Sequence, residues 1–332
     1  MWNNRLKPLV PGLVLVFGLA SVASWLGAMF PLVGGAVFGI VAGIAVRTCV
    51  IPDVRFGDGI RFASKQILQG SIIALGFCLP IAEVARTGMD SLSVTLLTMT
   101  AACISAVCFG RMLRVPGKLC VLIGTGTAIC GGSAIAAITP VVKPDAHEAA
   151  FSLSTIFLFN LMAVFLFPPL GHLLGLSDSG FGLWAGTAIN DTSSVVAAAY
   201  SWSKAAGDHA TIVKLTRALM IIPVTLAIGI WFGVRESAGG RPSLQTIQRT
   251  VPWFIVWFVV ASAVSQFVPE AVCAAAHWLA PFMITVALTA IGLTTDIARM
   301  RQTGWRPIAL GLLVWFCVAG TSLLVQSLTS RW

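Results

Sequence analysis

Asp191 lies inside an apolar stretch, 181–201, with Asn190, Thr192, Ser193 and Ser194 beside it as hydrogen-bonding groups. A charged side chain at the centre of a bilayer costs roughly 2.5–3.5 kcal/mol on insertion scales, so a carboxylate placed there is a functional candidate by default. Such a carboxylate can carry a proton or a Na⁺ ion, or stand as the counter-charge to a cation. It can also be the N-cap of a helix beginning at Thr192. These roles are compatible, because a helix N-terminus that opens inside a membrane is an anion site lined by its own cap residues. A second polar cluster, Thr125, Thr127, Cys130, Gly131, Gly132 and Ser133, interrupts another apolar stretch, and the two clusters repeat each other: GTAICGGS at 126–133 and GTAINDTS at 186–193. In hydrocarbon, broken or polar backbone survives only where it is buried in protein or lines a cavity. Small residues spaced by four also let unbroken membrane helices pack closely, but the Gly131-Gly132 pair weakens a helix more than packing requires.

Cations decide the sign of a substrate. Lys214 and Arg217, three residues apart, share a helical face at the start of an apolar run over 212–232, and Lys143 closes the run over 119–142. Each can snorkel to the headgroups or face the cavity, where one neutralises Asp191 and the remainder favours an anion. Asn160 and Asp296 are weaker candidates. An intramembrane hydrolase would need a base in reach of Ser193 or Ser194, and His209 reads as part of a polar loop beyond the span, so no enzyme is expected. The eight cysteines and four histidines are too scattered for a metal cluster or a disulfide framework. The only ion expected is a coupling Na⁺ or H⁺ at Asp191, with no other cofactor. The chain lacks G-x-x-x-x-G-K-[ST], which argues against ATP-driven pumping.

These residues must be held by a membrane-embedded frame. Of 332 residues, 57% are hydrophobic and 10% charged, with mean hydropathy +0.92, whereas soluble domains carry about 25% charged residues. Apolar runs near the length of a crossing occur at 9–27, 32–46, 66–81, 92–109, 119–142, 150–170, 181–201, 212–232, 251–268, 279–295 and 308–328. The expected fold is an all-α polytopic membrane protein of about eleven (10 to 12) helices forming a single transmembrane domain over residues 1–332. The first run continues too long for a signal-peptide core and reads as an uncleaved helix.

The net charge of +9 follows membrane topology rather than a nucleic-acid partner. Arg86, Lys143, Lys204, Lys214, Arg217 and Arg331 fall on or near one side and the other 15 of the 21 Lys and Arg on the N-terminal side, giving N-in and C-out. A second repeat pairs ALGFCLPIAEVARTG at 74–88 with AIGLTTDIARMRQTG at 290–304. In this topology the copies are inverted, within elements 66–110 and 279–328, as in secondary transporters with discontinuous helices. One span between the GTAI motifs would make those two run in the same direction; either they are not symmetry mates or one is a re-entrant hairpin.

Residues 129–131 (ICG), 140–143 (PVVK), the 186–198 segment, Lys214 with Arg217, and 292–295 (GLTT) together resemble the YeiH-like sulfate exporter family of bacterial inner-membrane proteins. The resemblance covers nearly the whole chain. It implies kinship to the cation/proton antiporter and bile-acid symporter superfamily, with inverted repeats, crossed discontinuous helices and a core that moves against a scaffold. The chain departs from some members at Cys78, where they have arginine, and at Asn190-Asp191, where they have His-Glu. The expectation is a secondary-active, alternating-access transporter of a small anion such as sulfate or a sulfonate in the bacterial inner membrane, compatible with a homodimer. The rivals are a cation/proton antiporter with Asp191 as ion carrier and an anion channel.

Overall fold

A computed structural model describes residues 8–30, 34–50, 54–225, 227–228, 253–295 and 304–332. The described residues are helical and unstranded, and five helices are long and apolar enough to cross a membrane. The chain divides into two compact units, one of Met1–Arg86, Val196–Asp208 and Phe254–Ile297, the other of Thr87–Val195, His209–Trp253 and Ala298–Trp332.

The first unit is built on α1 (Val10–Met29), α2 (Gly34–Val50), α3 (Gly57–Phe62), a π turn over Ala63–Ile67, α4 (Leu68–Gly76), and the later α12 (Trp253–Val264) and α13 (Glu270–Thr294). Helix association in lipid depends on close approach rather than on apolar burial, and small residues provide it here. Gly35, Gly39 and Gly43, one per turn of α2, face Thr285, Thr289 and Gly292 of α13, and a Cβ on Gly43 would overlap the Thr289 carbonyl. Val16, Ala20, Ile60, Ala63, Val286, Ala290 and Leu293 form the core beside this seam.

The second unit contains most of α5 (Ile81–Met112), then α6 (Gly117–Ala128), α7 (Gly132–Val142), α8 (Ala146–Leu174), α9 (Asp178–Ala188), the first turn of α10 (Thr192–Trp202), α11 (Lys204–Leu219) from His209 onward, and α14 (Trp305–Leu328). Helix α8 is the axis. Asp145 and Glu148 close a capping box at its start, and Gly175 at φ 66° ends it in the left-handed conformation that suits glycine. Its 29 residues span about 43 Å at 1.5 Å each.

The run over 119–142 is not one crossing. Lys118 Nζ, at the start of α6, donates to the Lys143 carbonyl, at the end of α7, at 2.8 Å, and Leu122 packs in one cluster with Ile135, Ile138 and Val142. Helices α6 and α7 are therefore the two arms of a hairpin that returns to the end it left. Lys143 shares that end with Lys118, contrary to the charge-based assignment, and the odd span count behind the C-out topology loses its basis. Cysteines introduced singly as Lys118→Cys and Lys143→Cys should react with a membrane-impermeant thiol reagent from the same side; labelling from opposite sides would restore a single crossing.

The 74–88 segment ends α4 at Gly76 and opens α5 at Ile81. Its partner begins in α13, which ends at Thr294, but 296–303, including Asp296, lies outside the described residues.

Candidate functional site

Both GTAI motifs break a helix at the same place. Helix α6 ends at Ala128 and α7 starts at Gly132; α9 ends at Ala188 and α10 starts at Thr192. In the first break Gly131 takes φ 69° and ψ −123°, a conformation open to glycine and costly for residues with a Cβ. In the second, Ile189 is extended. The α6–α7 mouth adjoins the start of α8, while α9 begins at its Ser177 cap two residues beyond Gly175. The C-terminal ends of α6 and α9 thus approach one point from opposite ends of α8. With α8 crossing between them, the motifs need not run in the same direction.

At that point two helix C-termini present carbonyls with no intrahelical donor, each end carrying roughly half a negative charge. Lys214 and Arg217, both 0% exposed, satisfy them. The Lys214 ammonium donates to the Ile129 and Ile189 carbonyls, each at 3.0 Å. Arg217 Nε donates to the Ala128 carbonyl at 2.7 Å, and its two terminal nitrogens donate to the Thr127 and Thr187 carbonyls. Trp315 Nε1 of α14 donates to the Ala188 carbonyl at 3.2 Å. Glycine at 186 permits the approach of α11, since a Cβ there would collide with Val213 and the Ala210 carbonyl. The snorkelling reading of Lys214 and Arg217 is therefore wrong. They sit in the second half of α11, which starts at Lys204 rather than near Ile212.

Asp191 is the N-cap of α10. One carboxylate oxygen accepts from Ser193 N at 3.0 Å and Ser194 N at 3.4 Å, and from the Ser193 hydroxyl. Asp191 and Thr192 are partly buried, whereas Asn190, Ser193 and Ser194 are buried. Midway along α8, Asn160 Oδ1 accepts from Asp191 N at 3.2 Å. Opposite, Gly131 is the N-cap of α7 and offers no capping side chain, leaving first-turn N–H groups without that partner. A Cβ on Gly131 would lie 3.7 Å from both Asn160 Nδ2 and the Asn190 carbonyl carbon, so both breaks and α8 meet here.

The remaining candidates contribute differently. The Thr125 hydroxyl turns back onto the Val121 carbonyl at 2.6 Å, Thr127 contributes its carbonyl, Cys130 is buried and Ser133 exposed. His209 is helical, within α11, rather than in a loop. Sequence reasoning missed Trp315, whose only signal is an indole inside the last apolar run, and ranked Asn160 too low.

Comparisons with known proteins place the chain in a family. A match to the family described as conserved hypothetical protein 698 covers residues 11–311. The chain is similar to the UPF0324 membrane protein FN0533 of Fusobacterium nucleatum, 39% identical over 98% of this chain and 99% of the relative. It is likewise similar to the UPF0324 membrane protein SpyM3_0740 of Streptococcus pyogenes serotype M3, 39% identical over 97% and 98%, and to a UPF0324 membrane protein of Streptococcus mutans, 39% identical over 97% of each chain.

Proposed function

The chain belongs to the conserved hypothetical protein 698 family, the UPF0324 membrane proteins, and from that premise we propose that it is a secondary-active, alternating-access transporter of a small anion in the bacterial inner membrane. One observation carries the reading: two buried basic side chains, Lys214 and Arg217, stand where two helices are broken. The Lys214 and Arg217 donors meet two helix C-termini worth roughly half a negative charge each, and the α7 and α10 N-termini return a similar positive amount. Asp191 sets one carboxylate against these two basic side chains. Two basic groups against one carboxylate favour an anion, and the partly buried Asp191 offers a carboxylate to couple its movement to H⁺ or Na⁺.

The same carboxylate supports the second reading, a cation/proton antiporter. Purified protein in liposomes separates the two. Preloaded unlabelled anion should accelerate uptake of labelled anion without any imposed cation gradient, and saturate. Na⁺/H⁺ exchange without anion counterflow would replace the anion reading with the antiporter, and non-saturating flux without counterflow would mark a channel.

A further inference from the structure

Two amide atoms, one on α8 beside the breaks and one within the second break, are unanswered among the described residues. Asn160 is 3% exposed and Asn190 1% exposed, yet Asn160 Nδ2 and Asn190 Oδ1 have no hydrogen-bond partner among the described residues. Buried polar atoms in this condition are few in a native protein, and each calls for an explanation. The orientation of Asn160 is fixed, because its other terminal atom accepts from the Asp191 N–H and must therefore be the oxygen. Its unpartnered atom is thus a donor, beside Gly131 and the uncapped start of α7. The unpartnered Asn190 atom is an acceptor, on the residue whose backbone lies against the same Gly131. The Asp191 carboxylate, next in the chain, adds a second acceptor.

A site of donors alone would suit any oxoanion. This one combines a donor amide and helix N–H groups with an acceptor that an anion's bare oxygen would repel. Resting on the small-anion reading above, we propose that the ligand is an oxoanion that still carries a hydrogen at neutral pH, with bicarbonate and hydrogen phosphate as the simplest of the class. Its unprotonated oxygens accept from Asn160 Nδ2 and the first-turn N–H groups of α7, and its O–H donates to Asn190 Oδ1. Sulfate has no hydrogen to give and would leave the Asn190 oxygen facing an oxygen. Sites built to hydrogen-bond a ligand hydroxyl reject analogues lacking it far more strongly than apolar pockets reject a missing methylene.

Two pairs of ions matched in shape and charge provide the test. Bicarbonate and nitrate are planar monoanions, hydrogen phosphate and sulfate tetrahedral dianions, and in each pair only the first carries a hydrogen. Dissociation constants of all four for the detergent-purified full chain, from calorimetry and from thermal stabilisation against concentration, should favour the hydrogen-bearing member of each pair by about tenfold or more. Asn190→Leu should reduce that preference to near unity, while Asn160→Leu weakens both members of a pair alike. Nitrate and sulfate binding as tightly as their partners would overturn this proposal and leave the small-anion reading intact. Binding of none of the four would overturn both. A preference that survives in Asn190→Leu would overturn the assignment of the acceptor. Should either variant fail to fold, the wild-type ranking within the two pairs still decides.

Discussion

Arg217→Met is expected to be among the most damaging single substitutions in this chain. The guanidinium is fully buried and donates to the Thr127 and Ala128 carbonyls of one broken helix and the Thr187 carbonyl of the other. Methionine fills comparable volume but returns three carbonyls to an apolar interior, at the ends of two dipoles that Lys214 alone then bridges. Removing one partner from a buried charged arrangement costs about 3–5 kcal/mol, enough to lower the apparent midpoint of thermal unfolding by on the order of 10 °C. Arg217→Lys should fall in between, because an ammonium lacks the planar fork that reaches both helices at once. Thermal aggregation of purified protein, read by size-exclusion chromatography after heating, measures the effect. A methionine variant as stable as wild type would mean that the carbonyls find other donors and that the arginine does not hold the breaks together.

Asp191→Asn should do the opposite: spare the fold and remove transport. Asparagine caps helices about as well as aspartate, so the bonds to the Ser193 and Ser194 N–H groups survive and the melting midpoint should move by no more than a few degrees. What goes is the one half-buried carboxylate among the groups that meet at the breaks. Flux in liposomes is expected to fall by about a hundredfold or more, or to lose its dependence on a pH or Na⁺ gradient, since a group that carries the coupling ion has no substitute in an amide. Asp58→Asn, at an exposed aspartate paired with Arg61 at 3.2 Å, should change neither measurement, as surface pairs contribute little. Unaltered flux and gradient dependence in Asp191→Asn would reduce Asp191 to a cap.

Much of this arrangement is legible in the sequence. The repeated GTAI followed by polar residues marks both breaks, and the adjacent Gly131 and Gly132 mark the place where the backbone turns into a region closed to other residues. The direction of the chain after that turn is not legible. Helices α6 and α7 together have the length and hydropathy of a single crossing, and the return shows in tertiary packing, in the Lys118–Lys143 contact and the cluster of Leu122 with Ile135, Ile138 and Val142. Spacing places Lys214 and Arg217 on one face but says nothing of what that face meets, because their partners are main-chain atoms and leave no trace in residue identity. Asn160 is similarly opaque: one amide in a long apolar helix matters only because the breaks converge on its level.

The use of main-chain partners also has a genetic consequence. A salt bridge between side chains can be inverted by exchanging the two charges, so the loss of one partner is open to a second-site suppressor at the other. The partners of Arg217 are peptide carbonyls, and no codon change alters a carbonyl's sign. Reversion of a damaged Arg217 must therefore come from the codon itself or from a new donor delivered by another position in the same interior. A suppressor screen should return few solutions, and those it returns would map the side chains that can reach the junction.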